Sequence, residues 1–169
     1  ITFDDGYADN MLALEALQKR DMTASWFVVT DDIGRRARWQ DADFQAEEML
    51  DTKQLREMHA AGMEIGSHSC SHAMLDEASG AVLQSELADS KDCLEQLLGD
   101  PVVSLAYPYG RYGTETMSAA RTAGYLFACS CKAGRMMADF DPLQLRRIAV
   151  FNNDGVGQFA RKLAVADNE

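Results

Sequence analysis

No run of apolar residues in this 169-residue sequence approaches the ~20 needed to cross a bilayer as a helix. No basic segment leads an apolar one at its start, so neither a membrane span nor an export signal is legible. Basic residues are scarce: 16 Lys and Arg stand against 27 Asp and Glu, a formal charge of −11. That is the wrong sign for a surface that tracks phosphates, which excludes nucleic acid as an expected partner. Cysteine is sparse as well. The four, at 70, 93, 129 and 131, contain no C-x-x-C spacing, which excludes a zinc ribbon or a thioredoxin-type pair. Cys129 and Cys131 share a face of an expected strand but stand too far apart along it for a relaxed disulfide, so buried free thiols are expected. Internal repeats and low-complexity tracts are absent. An initiator Met is absent too, and Ile1 enters a strand pattern directly. A leader, an anchor or one more strand is therefore expected upstream, and localisation stays open between the cell envelope and the cytoplasm.

What is present suits one domain over residues 1–169. Hydrophobic residues make up 47% and charged residues 25%, and a chain of this length buries about 70% of its unfolded surface. Metal is not needed to hold such a core together, so any metal is there for chemistry. Short β-branched or aromatic runs alternate with segments of helical period. Strands are expected at 1–5, 23–30, 63–67, 102–107, 126–131 and 145–151. Helices are expected from Asp9 or Asn10 through Leu17, from Asp51 or Thr52 to Gly62, over 80–98 with Gly99 as breaker, over 114–123, and over 156–166. Residues 31–50, which include Trp39, show no clean period and read as a long loop. Strands separated by helices imply parallel pairing and an α/β fold, either an open doubly wound sheet or an incomplete (β/α) barrel.

Each polar cluster falls at the C-terminal end of an expected strand, where both architectures place their active sites. Phe3-Asp4-Asp5-Gly6 sets two adjacent carboxylates at a strand end. Adjacent strand residues face opposite ways, so one acid can reach a metal while the other serves as base; an acidic turn capping the first helix is the plainer reading. His68-Ser69-Cys70-Ser71-His72 places two imidazoles four apart, which share a face if the segment makes a helical turn. Two imidazoles and one carboxylate suit zinc with an open position for water. Cys70 should point away from that face, and His59, at the end of a helix, reads as structural. Tyr107-Pro108-Tyr109-Gly110 can wall a groove, stack on a sugar ring, and present the Tyr109 backbone N–H to an oxyanion. Arg146-Arg147 lies in an apolar strand where a cation needs a partner; one arginine is expected to point inward, with Asp4 as its natural counter-ion.

In this order, the Asp4-Asp5, His68/His72 and Tyr107–Gly110 motifs resemble the polysaccharide deacetylase (NodB homology) family, carbohydrate esterase family 4, over residues 1 to about 151. The resemblance implies a distorted, incomplete (β/α) barrel and removal of N-acetyl groups from an amino-sugar glycan with a divalent metal, Zn2+ being the expected ion. It implies Asp4 as base, Asp5, His68 and His72 as metal ligands, and Tyr109 as the oxyanion donor, with Tyr107 and Pro108 beside the substrate. Two departures stand out. Many members carry an arginine where this chain has Ala106, a gap that Arg147 is expected to fill. Many carry a late histidine as general acid, and no histidine follows His72, which leaves Asp4, Asp154 or a bound water to supply the proton. A glycan-binding domain without turnover and an amidase or deformylase acting on a small non-sugar substrate are the competing readings. The loops at 31–50 and 132–143 are where substrate choice is expected to lie.

Overall fold

The computed structural model of the chain describes residues 1–39, 48–134 and 140–165. Five strands alternate with helices: β1 (Thr2–Phe3), α1 (Met11–Gln18), β2 (Ser25–Val28), α2 (Thr52–Ala60), β3 (Glu64–Ser67), α3 (Gly80–Leu98), β4 (Ser104–Ala106), α4 (Thr114–Thr122), β5 (Phe127–Cys129) and α5 (Val156–Val165). Every strand pairs in parallel with the next, so the sheet runs in chain order from β1 to β5. A doubly wound sheet reverses its strand order at a switch point, and this one never reverses. It winds in one direction and curls into an incomplete (β/α) barrel of the α/β class.

Local chemistry sets the helix ends. The Asp51 carboxylate accepts from the Lys53 and Gln54 backbone N–H groups at 2.8 Å, and the Gln54 side-chain carbonyl accepts from the Asp51 N–H at 2.8 Å. This reciprocal cap starts α2 and contributes about 1 kcal/mol. Gly99, at φ +76°, closes α3 in the left-handed conformation that glycine adopts without strain.

Alternation along the strands splits the core in two. Trp26, Val28, Ile65 and Leu105 join Leu55 and Met58 of α2 and Leu87 and Leu94 of α3 in the layer between sheet and helices. Phe27, one residue out of phase, turns to the opposite face with Ala106 and Cys129, and Leu145 packs against them. Gly66 of β3 permits that packing, because a Cβ there would stand 2.5 Å from Ser104 Oγ and 2.7 Å from the Phe27 ring.

The sixth expected strand is not a strand. Residues after 144 run beside β5 for one bridge only, Cys129 with Leu145. Arg147 explains the interruption: its Nε donates to the Ser130 carbonyl at 3.1 Å, taking by side chain an acceptor that a continuing ladder would use. Val150 and Phe151 are then exposed. The expectation of buried thiols holds for Cys129 alone; Cys93 and Cys131 are exposed, Cys70 is half-buried, and all four are free. Residues 40–47 and 135–139 of the two expected specificity loops lie outside the described residues, as does Ala166 at the end of the last expected helix. Among the described residues no helix is long and apolar enough to cross a membrane.

Candidate active site

Three strand ends meet at one mouth of the barrel. At the first, Phe3 stacks on Trp26 with ring centroids 4.7 Å apart, which seats the end of β1 on its neighbour. The chain then turns sharply: the Gly6 N–H donates to the Asp4 carbonyl at 2.9 Å, with Asp5 at φ +73° and Gly6 at φ +88°. This turn sends the adjacent carboxylates to different partners.

At the end of β3 the two histidines are brought together by a turn rather than by a helix. Ser69 and His72 both sit in the left-handed region, at φ +66° and +61°. The turn is stitched from within, since the Ser69 N–H donates to Ser67 Oγ and the His72 N–H donates to Ser69 Oγ, each at 3.1 Å. Glu86 of α3 anchors it from outside. Its carboxylate accepts from the Cys70 and Ser71 backbone N–H groups at 2.9 and 3.0 Å and from the Ser71 hydroxyl. Of the five non-glycine residues with positive φ among those described, Asp5, Ser69, His72 and Tyr109 lie at this mouth, so the strain is concentrated where the polar groups converge.

Asp5, His68 and His72 form a three-residue cluster in which one potential ligand atom from each lies within 4.8 Å of the others. Asp5 Oδ1 stands 3.3 Å from Nε2 of both His68 and His72. His68 is buried, and its Nδ1 lies 2.7 Å from the Ala106 carbonyl. A carbonyl only accepts, so Nδ1 carries the proton and Nε2 is the nitrogen that faces Asp5. The three inward atoms, one carboxylate oxygen and two imidazole nitrogens, can each ligate a cation. Burial raises the Asp5 carboxyl, but the two facing imidazoles more than offset this and hold it well below the usual carboxylate range. The donor set of one carboxylate and two imidazoles, with an acceptor behind one ring, fits a divalent metal.

Asp4 faces the other way. Arg147 grips it with two parallel bonds, Nη1 to Oδ1 at 2.6 Å and Nη2 to Oδ2 at 2.7 Å. The guanidinium also donates from Nη1 to Thr2 Oγ1 at 3.1 Å. Burial works against the Arg147 charge, and the Asp4 carboxylate overrides it and raises the guanidinium's affinity for its proton. Arg147 is therefore the inward arginine, and Arg146 turns away to the Ala133 carbonyl.

The third motif is divided between core and surface, which corrects the expectation for two of its residues. Tyr107 is fully buried: its hydroxyl donates to the Leu143 carbonyl at 3.0 Å and its ring stacks on Tyr112. Pro108 is buried too. Both lie in the packed interior where the chain turns after β4, so neither offers a face to a substrate. Tyr109 is 49% exposed, and its ring stands edge-on to His72 at 4.5 Å. Gly110 makes the turn possible, since a Cβ there would lie 2.5 Å from Cys131 Cβ. Away from the mouth, His59 pairs with Asp100 at 2.8 Å on the end of α2. Asp154 is held by Lys162 and by the Phe151 N–H, which keep its carboxyl below the usual range.

A sequence model of the polysaccharide deacetylase family matches residues 1–128. The chain belongs to that family. The Bacillus subtilis (strain 168) protein YxkH is 33% identical over 151 residues, covering 89% of this chain and 50% of its own length. The poly-β-1,6-N-acetyl-D-glucosamine N-deacetylase of Staphylococcus epidermidis is 27% identical over 165 residues, covering 90% of this chain and 54% of its own. Among solved structures, the Streptococcus pyogenes deacetylase PplD in complex with acetate superposes with a TM-score of 0.82 at 30% identity, over 95% of this chain and 68% of that one. The chain spans about half the length of these two curated relatives.

Within the family frame, two residues not singled out for the site in the sequence now stand beside it. Glu86 sits on the polar stripe of α3, where an acid reads as solvated; only its position 15 residues past Ser71 on a helix packed against β3 gives it a role. Trp39 lies in the aperiodic loop and stacks on His72 with centroids 4.7 Å apart.

Proposed function

We propose that the chain is the catalytic domain of a metal-dependent hydrolase that removes N-acetyl groups from amino-sugar polymers. The observation that carries this reading is the convergence of Asp5 Oδ1 on Nε2 of both histidines at 3.3 Å, one residue away from a second carboxylate held by arginine. Asp5, His68 and His72 would hold the cation, with Zn2+ the ion that best suits the donor set. When bound, it supplies Lewis acidity toward the amide carbonyl and acidifies the attacking water.

The chain's own residues do the rest. Asp4 takes the proton of the attacking water on a carboxylate oxygen, and the two bonds from Arg147 hold that carboxylate in place. The Tyr109 backbone N–H donates to the oxyanion of the tetrahedral intermediate. The C–N bond then breaks and the leaving amine needs a proton. Asp4 passes the proton it took from water on to the amine and returns to its ion pair with Arg147. One carboxylate thereby serves as base and then acid, so the reaction needs no histidine after His72. The intact Asp4–Arg147 pair favours this reading over a glycan-binding domain that has lost its chemistry.

The substrate named for the S. epidermidis relative, poly-β-1,6-N-acetyl-D-glucosamine, is the first to test, with chito-oligosaccharides beside it. Purified protein should retain about one zinc per chain and release acetate, and Asp5→Ala should do neither. A wild-type protein that binds the glycan without releasing acetate overturns the catalytic reading, and equal zinc retention by Asp5→Ala overturns the metal assignment.

A further inference from the structure

The two imidazoles that face Asp5 are held by different devices. His68 is oriented by its hydrogen bond to the Ala106 carbonyl at 2.7 Å, a common way of fixing a ligating ring. His72 lacks this. Its Nδ1 is buried and makes no hydrogen bond among the described residues, and its backbone sits in the left-handed region at φ +61°. What surrounds the His72 ring is aromatic. Trp39 stacks on its face at 4.7 Å and 23°, Tyr109 meets it edge-on at 4.5 Å and 71°, and His68 meets it edge-on at 4.9 Å.

Trp39 is itself fixed from behind. The buried carboxylate of Asp32 accepts the Arg38 backbone N–H at 3.1 Å and pairs with the Arg38 guanidinium. The residue before the indole is thus pinned to the end of β2, and β2 in turn is tied to the histidine turn through the Thr30 and Asp31 N–H groups, which donate to the Ser69 and Cys70 carbonyls at 3.2 and 2.9 Å.

We infer that Trp39 is a positioning residue for metal binding: its indole, stacked on His72, orients Nε2 toward Asp5 in place of the hydrogen bond that Nδ1 lacks. This inference rests on the metal reading above. A planar ring on the imidazole face limits rotation about the bond joining ring to chain, which is the freedom a hydrogen bond at Nδ1 would otherwise remove. Metal retention is then coupled to the 31–39 segment, so that loop acts on the site as well as bordering it. Losing a group that orients a ligand typically weakens metal affinity by about 10- to 100-fold. A stack constrains less than a hydrogen bond, so the lower end is expected.

The test is a mutant cycle on the purified chain, with Zn2+ affinity read by chelator competition and Co2+ absorption as a report on coordination geometry. Trp39→Leu should weaken Zn2+ binding by about tenfold and alter the Co2+ spectrum, while Trp39→Phe, which keeps a flat ring, should stay within about threefold of wild type. In a His72→Gln background the Trp39→Leu change should have no further effect on residual affinity, because the residue through which it acts is gone. Melting of the metal-free proteins checks the fold, and Trp39→Gln replaces Trp39→Leu if the latter melts early. The inference is overturned if Trp39→Leu binds zinc as wild type does, if Trp39→Phe loses as much as Trp39→Leu, or if Trp39→Leu weakens the His72→Gln protein by the same factor. A wild type that holds no zinc overturns the metal reading itself and this inference with it.

Discussion

Asp5 meets His68 and His72 through contacts made within the first three strands, whereas Asp4, one residue earlier, is held by an arginine 143 positions away. The first arrangement is set by turns whose own backbone and serine hydroxyls fix their shape. The second depends on the segment after β5 reaching back across the barrel, with a single bridge at Leu145 to guide it. On the proposed function, two roles that act on one substrate are built on supports of different strength. The difference teaches that metal retention and proton transfer should be separable by mutation.

The largest effect expected is on the local side. His68→Ala removes a ligand and the ring that the Ala106 carbonyl orients, so zinc should be lost and acetate release should fall by about 10³-fold or more, since the Lewis acid supplies several kcal/mol. Metal content and acetate assays on one sample check it. Retention of zinc with full activity would show that the two histidines are not equivalent in kind and would break the comparison at its first term.

Next comes the distal side. Asp4→Asn should keep the metal and lower kcat by about 10²- to 10⁴-fold, the usual contribution of a positioned base. Arg147→Met should also keep the metal and cost roughly 10- to 100-fold in kcat, the worth of a charge-assisted bidentate contact. If Arg147→Met released zinc as readily as His68→Ala, the two supports would be one, and the separation drawn here would fail.

The sequence discloses these two supports unequally. The members of each pair, the two acids and the two imidazoles, are close in sequence, so their convergence needs only that the ends of β1 and β3, which flank β2, open on the same mouth, and the inward arginine is legible because a cation in an apolar run must find a counter-ion. Periodicity alone leaves the barrel as one of two α/β alternatives, because it carries no information about strand order; the motif resemblance selects the incomplete barrel, and the strand order bears it out. Tyr107 misleads since an aromatic at a strand end looks the same whether it faces a groove or, as here, donates its hydroxyl to Leu143 in the interior. The sixth strand misleads for a related reason: β-branched and apolar residues mark strand propensity, but Arg147 takes the Ser130 carbonyl by side chain and ends the ladder. Glu86 is invisible to pattern because two of its three partners are backbone N–H groups, which every sequence has, and the third is a single serine hydroxyl.

Glu86 sharpens the comparison at a smaller scale. Its carboxylate is an external brace on the histidine turn, so Glu86→Gln leaves the ligands in place and weakens three hydrogen bonds to the loop that carries them. The expected cost is about 1–3 kcal/mol of stability by denaturant unfolding, with zinc affinity falling by about tenfold and the Asp4-dependent step unaffected once metal is saturating. A fall in kcat at saturating zinc would mean that the brace reaches the proton-transfer side as well.

The smallest effect is expected beyond Arg147. Helix α5 exposes Val156, Phe159 and Leu163, and Lys162 ties it to the Ala149 carbonyl and Asp154 rather than to the barrel. A surface side chain on a helix outside the core clusters contributes little, so Phe159→Ser should change stability by less than about 0.5 kcal/mol and leave both zinc affinity and kcat as they are. That outcome would place the boundary of the catalytic machinery at the Asp4–Arg147 pair. A substantial loss of kcat in Phe159→Ser with zinc retained would instead show that α5 holds the 145–147 segment in place, making the support behind Asp4 longer than its hydrogen bonds indicate.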